Sequence, residues 1–359
     1  MKVCIVVGTR PEIIKMSPII RLCERNNYPY YIIHTGQHYS FSLDKVFFEE
    51  LHLPTPEYNL EVGSASHAKQ TALILSLIED VFTNDRPSIV LVQGDTNSVM
   101  AAALAGCKEK IMIGHVEAGL RSYDRNMPEE INRIVADHVS DYLYAPTETA
   151  KKNLLNEGID ESKIIITGNT ITDAVYEHID IAKSSSSVMK DLNITTKNYF
   201  LGTFHRPENV DDKHKLRNIL RALERIASDY QVPIIIPMHP RTKKMINEYH
   251  ITIANDWVKI LEPVSYLDFL LLQLNALTII TDSGGVQEEA CILKVPCVTL
   301  RENTERPETV EKGANVISGT KEEKIVECVK RMVKTKREWD NPYGDGNAAR
   351  IIMEHILSI

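Results

Sequence analysis

The chain has 359 residues, a length that fits about two domains of ordinary size. With 43% hydrophobic and 25% charged residues it has the composition of a globular protein, which excludes wholesale disorder. Its 41 basic residues against 49 acidic ones leave a net charge of −8, which excludes a general binder of nucleic acid or of anionic membranes. Any phosphate it holds must therefore meet a locally basic pocket.

The apolar opening Met1-Lys2-Val3-Cys4-Ile5-Val6-Val7-Gly8 is too short for a signal core and lacks a cleavage site. Residues 3–7 are predicted as a buried strand, and Pro11 opens a helix with Ile13, Ile14, Met16 and Ile20 at helical spacing. A second strand is expected at 30–34, then a long loop, a helix over 68–82 and a strand at 89–92. Strands at 110–116, 142–145 and 164–167 and helices at 129–139 and 148–156 complete the first half. This alternation means a parallel sheet covered on both faces. The run Lys183-Ser184-Ser185-Ser186-Ser187 interrupts a helical stretch and suggests a surface boundary between halves. The second half repeats the grammar. Strands are expected at 199–203, 233–237, 258–261, 277–281 and 296–300, and helices at 216–227, 266–274, 286–293, 322–333 and from 347 to the terminus. The expected fold class is α/β, with two Rossmann-like doubly wound domains facing a cleft at the carboxyl ends of their strands. The longest apolar stretch, 267–280, contains Asp268, Gln273 and Asn275 and does not read as a membrane span. Six scattered cysteines without a Cys-x-x-Cys pair point to a reduced, cytoplasmic protein without structural zinc.

Distinctive polar residues stand where strands end. Gly8-Thr9-Arg10-Pro11-Glu12, with Lys15 one turn on, offers free helix-start amides and two cations to a phosphate, or an ordinary turn and helix surface. Thr281-Asp282-Ser283-Gly284-Gly285 runs from a strand into a helix. Bare Gly284 and Gly285 amides can approach a pyrophosphate, Ser283 can add a hydroxyl, and Glu289 can accept from ribose hydroxyls. The plainer reading is a helix cap followed by a solvated acid. Asp95, Glu117 and Glu129 form a recurring set of acids, and adjacent parallel strands would bring Asp95 and Glu117 to one rim. Asp95 can instead cap a helix starting near Ser98, and Glu129 suits a helix start on dipole grounds. Several carboxylates in one cleft are what acid/base chemistry on a sugar needs. His205 can exchange a proton near neutral pH and Arg206 can hold phosphate, while a lone histidine is more often structural.

These blocks together resemble the non-hydrolysing UDP-N-acetylglucosamine 2-epimerases. The matching text also includes Gly94-Asp95-Thr96, Gly114-His115-Val116-Glu117-Ala118-Gly119-Leu120-Arg121, Pro128-Glu129-Glu130 with Asn132-Arg133, Pro146-Thr147-Glu148, Thr167-Gly168-Asn169-Thr170, Gln287-Glu288-Glu289, Thr304-Glu305-Arg306-Pro307-Glu308 and Asn341-Pro342-Tyr343-Gly344-Asp345-Gly346. The resemblance implies a fold like the B-type glycosyltransferases and no metal or nicotinamide cofactor. The expected domains are residues 1–170, a UDP-binding 171–345, and a last helix, 346–359, returning to the first domain. It implies catalytic roles for Asp95, Glu117, Glu129 and His205. It places Arg10, Lys15, Ser283, Gly284, Gly285, Glu289 and Arg306 around UDP, with Val264 and Phe269 near the uracil. Gln37, His38, Arg206 and His239 match part of a regulatory site for a second substrate molecule in bacterial members. Tyr39 replaces an arginine there, and Ser64-Ala65-Ser66-His67 lacks another. The partner expected is a UDP-sugar, with no nucleic acid and no membrane, and the assembly a homodimer.

The activity implied is reversible epimerisation at C2 of UDP-N-acetylglucosamine, through elimination of UDP to 2-acetamidoglucal and re-addition. The alternatives are a 2-epimerase of UDP-diacetamido-glucuronic acid, a hydrolysing relative, a B-type glycosyltransferase and a catalytically idle sensor of nucleotide sugars.

Overall fold

The computed structural model describes residues 1–37 and 41–359. The chain folds into two units, one made of Met1–Tyr176 with Tyr343–Ile359, the other of Glu177–Pro342.

In the first unit, β1 (Val3–Val7), β2 (Tyr30–His34), β3 (Tyr58–Asn59), β4 (Ile89–Gln93), β5 (Met112–Val116), β6 (Tyr142–Ala145) and β7 (Ile164–Ile166) form one sheet. Their order is β3-β2-β1-β4-β5-β6-β7, with every pairing parallel. The connections are α1 (Arg10–Asn26), α2 (Phe41–Glu50), α3 (His67–Asn84), α4 (Asn97–Lys108), α5 (Pro128–Val139) and α6 (Glu148–Asn156). Then α7 (Thr170–Ser185) leads out, and the division between units falls within it.

All five residues of β1 and of β4 are buried, as covering by helices on both faces requires, and this is why residues 3–7 and 89–92 read as unbroken apolar runs. Each aliphatic side chain so buried contributes about 1.5–3 kcal/mol. Pro11 opens α1 where a missing N–H costs nothing, and Asn27 closes it in the left-handed conformation.

The second unit repeats the plan with α8 (Val188–Asp191), β8 (Phe200–Thr203), α9 (Pro207–Val210), α10 (Lys213–Tyr230), β9 (Ile234–Pro237), α11 (Pro240–Glu248), β10 (Val258–Leu261), α12 (Tyr266–Asn275), β11 (Thr278–Thr281), α13 (Gly284–Ile292), β12 (Cys297–Thr299), α14 (Pro307–Glu311), β13 (Asn315–Ile317) and α15 (Glu322–Met332). Strand order is β10-β9-β8-β11-β12-β13, again parallel. Its core gathers Phe200, Leu216, Leu223, Ile234, Ile280 and Val298. The last helix, α16 (Ala348–Ser358), belongs with the first unit, where the Asp173 carboxylate accepts from the Ala349 amide at 3.0 Å.

Two expectations need correction. The long loop after β2 holds α2 and the two-residue β3. So short a strand leaves no periodic signature and exists because Ile33 and His34 pair with Tyr58 and Asn59. The serine run interrupts the helical stretch as expected, between α7 ending at Ser185 and α8 opening at Val188, but the division between units falls earlier, after Tyr176. The Ser184 and Ser185 hydroxyls donate to the Ile181 carbonyl and so stay within the helix.

Candidate active site

In a doubly wound sheet the connections leaving the two strands at the point of reversal diverge, which opens the sheet's carboxyl edge there. In the first unit that point lies between β1 and β4. Gly8-Thr9-Arg10 follows β1, and Gly94-Asp95-Thr96 follows β4. The register pairs Gln93 with Val116, so Asp95 and Glu117 emerge side by side from neighbouring strands, on one rim as expected.

Asp95 does not cap α4. Thr96 does, accepting from the Val99 amide, which leaves the Asp95 carboxylate to ion-pair with Arg133. Arg133 also meets Glu130 at 2.7 Å, and Asn132 Nδ2 donates to the Asp95 carbonyl at 2.9 Å. His115 braces the same turn from below: Nε2 lies 2.8 Å from the Gly94 carbonyl and Nδ1 2.7 Å from Asp137. Burial works against the Asp137 charge, yet His115 and Arg121 together hold its carboxyl below the ordinary range.

Glu117 has φ of 68°, a left-handed backbone that costs a side-chain-bearing residue roughly 1–3 kcal/mol. Its amide donates to the Tyr144 carbonyl at 3.1 Å. Its carboxylate ion-pairs with buried Lys15 and accepts from Asn169 Nδ2 at 3.0 Å. Lys15 thus faces an acid of its own unit. Glu129 occupies the exposed side of the first turn of α5. The buried acid of that pair is Glu130, which accepts from the Ser122 and Tyr123 amides at 2.9 Å each.

Glu12 joins the two loops at the reversal point. It accepts from the Gly8 amide at 2.9 Å, from Thr9 Oγ1 at 2.8 Å and, across to the β4 loop, from Thr96 Oγ1 at 2.7 Å. Burial pushes its carboxyl up to about 7. Gly8 is dictated by space, because a Cβ there would meet Ser98 Oγ at 2.2 Å and Thr35 Oγ1 at 2.4 Å. Arg10 is exposed and lies over the Phe47 ring at 5.7 Å. Gln37 is buried, its amide oxygen accepting from the Ser98 hydroxyl at 2.7 Å, and His38 lies outside the described residues.

In the second unit the reversal lies between β8 and β11, where Thr203 pairs with Thr281. The next turns carry His205 and Ser283. Asp282, fully buried between them, accepts from the amides of His205 at 3.1 Å and Arg206 at 3.0 Å and from Asn209 Nδ2 at 3.1 Å. The His205 ring stacks on His239 with centroids 5.2 Å apart, and burial lowers the pKa of both. His239 Nδ1 accepts from the Arg241 amide at 3.1 Å and so caps α11.

Ser283 precedes α13 without bonding the helix amides through its hydroxyl, and Gly284 and Gly285 form the helix's first turn. A Cβ on Gly285 would meet nothing within 4 Å, so this glycine is not required by packing. Arg306 stands beside the same turn, its Cζ 3.9 Å from where a Gly284 Cβ would be, with Nε bonded to Glu288 at 2.6 Å. Nearby, burial opposes the Glu305 charge, but Arg301, and then Arg306, hold its carboxyl well below the ordinary range. Farther along α13, Glu289 accepts from Tyr266 and Gln273. Val264 and Phe269 are half-buried at the start of α12.

The structure therefore brings Asp95, Glu117 and Lys15 together in one unit, and His205, Ser283, Gly284, Gly285 and Arg306 around one strand-end region of the other. Glu12, Arg133 and Asn169 stand in the sequence motifs without a role of their own, and Asp137 stands in none. The signal for two of them was the charge pattern of α5, where Glu130, Arg133 and Asp137 recur at helical spacing on the buried face. Among the described residues no group of three or more His, Cys, Asp or Glu is placed to hold a metal ion.

Two all-parallel sheets, each with polar residues gathered at its reversal point, define a protein of the doubly wound class with a ligand-binding edge on each sheet. The chain belongs to the UDP-N-acetylglucosamine 2-epimerase family, whose pattern matches residues 21–357. It is 54% identical over 358 residues to the UDP-N-acetylglucosamine 2-epimerase of Methanocaldococcus jannaschii, covering 98% of each chain. It is 38% identical to the UDP-2,3-diacetamido-2,3-dideoxy-D-glucuronate 2-epimerase of Pseudomonas aeruginosa, covering all of both. The crystal structure of the M. jannaschii enzyme with UDP-GlcNAc and UDP superimposes with a TM-score of 0.93 over the full length of both chains.

Proposed function

We propose that this chain interconverts UDP-N-acetylglucosamine and UDP-N-acetylmannosamine by elimination and re-addition of UDP. The observation that carries the reading is the pair of carboxylates, Asp95 and Glu117, set at adjacent strand ends and each held by a cation. The C2–H bond is not adjacent to a carbonyl, so a base must take the proton while the C1–O bond breaks and its electron pair leaves on UDP. That yields 2-acetamidoglucal. Return of UDP to C1 with a proton delivered to the other face of C2 gives the epimer.

Inversion needs proton handling on two faces, which Asp95, Glu117 and Glu129 supply in this proposal. Ser283, the Gly284 and Gly285 amides, Arg306, His205 and Arg10 stabilise the charge growing on the pyrophosphate, with Val264 and Phe269 beside the uracil. Identity of 54% to an enzyme named for UDP-N-acetylglucosamine supports that substrate over the diacetamido-glucuronate, whose named epimerase is 38% identical.

A homodimer is proposed on the character of α5, which buries Glu130, Asn132, Arg133 and Asp137 and leaves Ile131, Ile134 and Val135 partly exposed. The cytoplasm is the proposed compartment, supported by six free thiols. No helix among the described residues is long and apolar enough to cross a membrane.

Proton NMR of UDP-N-acetylglucosamine incubated with the enzyme in deuterium oxide tests the route. Deuterium should appear at C2 of both epimers, each still linked to UDP, with no added cofactor. Retention of the original hydrogen in the product overturns the mechanism.

A further inference from the structure

Tyr343, the residue at which the chain re-enters the first unit, meets the turn that precedes α7 through its backbone. The Asn169 amide donates to the Tyr343 carbonyl at 2.9 Å, and the Thr172 hydroxyl donates to the same oxygen at 3.3 Å. Two glycines make so close an approach possible. A Cβ on Gly168, whose φ is +80°, would meet that carbonyl oxygen at 2.9 Å and Gly344 Cα at 3.4 Å. A Cβ on Gly344, at φ +94°, would meet Gly168 Cα at 3.3 Å. Attachment of α16 does not require this fit. That helix buries Ile352, Met353 and Ile356, and Asp173 accepts from its Ala349 amide.

Asn169 is the residue that the contact fixes. It is buried just before α7, where its Oδ1 accepts from the Ile171 amide at 3.1 Å. That bond orients the side-chain amide, whose Nδ2 donates to Glu117 Oε2 at 3.0 Å. Lys15 closes on the same oxygen. A lysine is a point charge on a flexible stem and follows a carboxylate as it moves. An amide locked by its own cap and by its own backbone fixes a direction. Glu117 needs one, because its left-handed backbone is not held by local preference.

We propose that Asn169 is a positioning residue for Glu117, itself set in place by the backbone of Tyr343 and Gly344, so that the last segment of the chain governs the aim of a proton-transfer group. The proposal rests on the reading of Glu117 as an acid/base group.

Steady-state epimerisation of UDP-N-acetylglucosamine by the full chain tests it, in wild type, Asn169→Asp, Glu117→Gln, the double variant carrying both changes, Gly168→Ala and Gly344→Ala. Asp has the shape of Asn and caps a helix as well, so Asn169→Asp keeps the fold and removes the donor to Glu117. Its kcat should fall about ten- to a hundredfold, the size expected for a displaced reacting group, with KM and melting temperature nearly unchanged. In the Glu117→Gln background the same change should lower kcat by about twofold or less, because the group it positions is gone. Gly168→Ala and Gly344→Ala press on the backbone contact from its two sides, and whichever folds should lower kcat with KM kept. Normal kcat in Asn169→Asp overturns the proposal, as does an equal loss with and without Glu117, which is what mere structural damage produces. Normal kcat in a folded glycine variant overturns the part given to Tyr343 and Gly344. A Glu117→Gln chain with normal turnover overturns the acid/base reading and the proposal with it. Loss in Glu117→Gln beside normal turnover in Asn169→Asp overturns the proposal alone.

Discussion

The two units use the same strand arrangement, yet the carboxyl edges of their sheets are built differently. In the first unit the charges are matched inside the protein: Asp95 with Arg133, Glu117 with Lys15, and Asp137 with His115 and Arg121. In the second, buried Asp282 is spent on neighbouring amides, and the start of α13 presents Ser283, two glycines and Arg306. A carboxylate clamped by a cation holds its place before any ligand arrives, as a proton-transfer group must. A helix start followed by glycine offers amides and positive potential to an anion. In the proposed mechanism one fold supplies acid/base groups in one copy and a diphosphate cradle in the other.

The sharpest way to break that contrast is to neutralise the acids. Asp95→Asn and Glu117→Gln should each lower turnover by roughly 10²–10⁴-fold while UDP affinity changes far less. Glu129→Gln is the discriminating third member, since its helix-start position is a separate reason to be acidic. A lowered melting temperature with near-normal turnover would demote Glu129 to a structural residue; the same result at Asp95 or Glu117 would undo the mechanism.

Glu12 sharpens the comparison through pH. Its carboxyl sits at about 7 in the folded chain against an ordinary 4.5. Between those values the folded chain keeps a proton that the unfolded chain has released, so stability falls as pH rises through this window. The full penalty, on the order of 3 kcal/mol, is present above pH 7. Urea unfolding at pH 5, 6 and 7 should show this slope in wild type and a flatter one in Glu12→Gln. Equal slopes would mean that Glu12 does not titrate there.

In the second unit, Arg306→Ala and Ser283→Ala should weaken UDP by about 1.5–3 kcal/mol each, read by calorimetry. Unchanged affinity in both would remove them from the nucleotide site. The smallest effects come from two glycines. Gly8→Ala should destabilise the first unit by about 1–3 kcal/mol through overpacking against Ser98 and Thr35. Gly285→Ala should leave the melting temperature intact and weaken UDP alone, because its Cβ enters open space where the diphosphate is proposed to sit. A Gly285→Ala chain that melts early and binds UDP normally would reverse the assignment.

Much of this was legible from local chemistry. Continuous β-branched runs are what a strand covered on both faces needs, and glycine, proline and small hydroxyl residues mark where the chain must turn into a helix. Strands β1, β2, β5 and β6 and the turns that follow them could be read without knowing their neighbours. The motifs at Gly8, Asp95, Glu117 and Ser283 fell at strand ends for the same reason. Elements whose existence depends on a partner were not legible: β3 is two residues long, and α2 lies within what looked like loop.

The sequence by itself determined the α/β class, the doubling of the fold, and the positions at which chemistry-bearing residues leave each strand. Those properties follow from periodicity and turn geometry, which act over a few residues. Tertiary structure alone decided the partners. Lys15 reaches Glu117 across 102 residues and Arg133 reaches Asp95 across 38. Thr96 reaches Glu12 across 84, and Tyr266 and Gln273 converge on Glu289 from another helix. Each pairing exists because parallel strand order places distant loops on one edge, and a charge in a low-dielectric interior is tolerated only where its counterpart arrives with the fold.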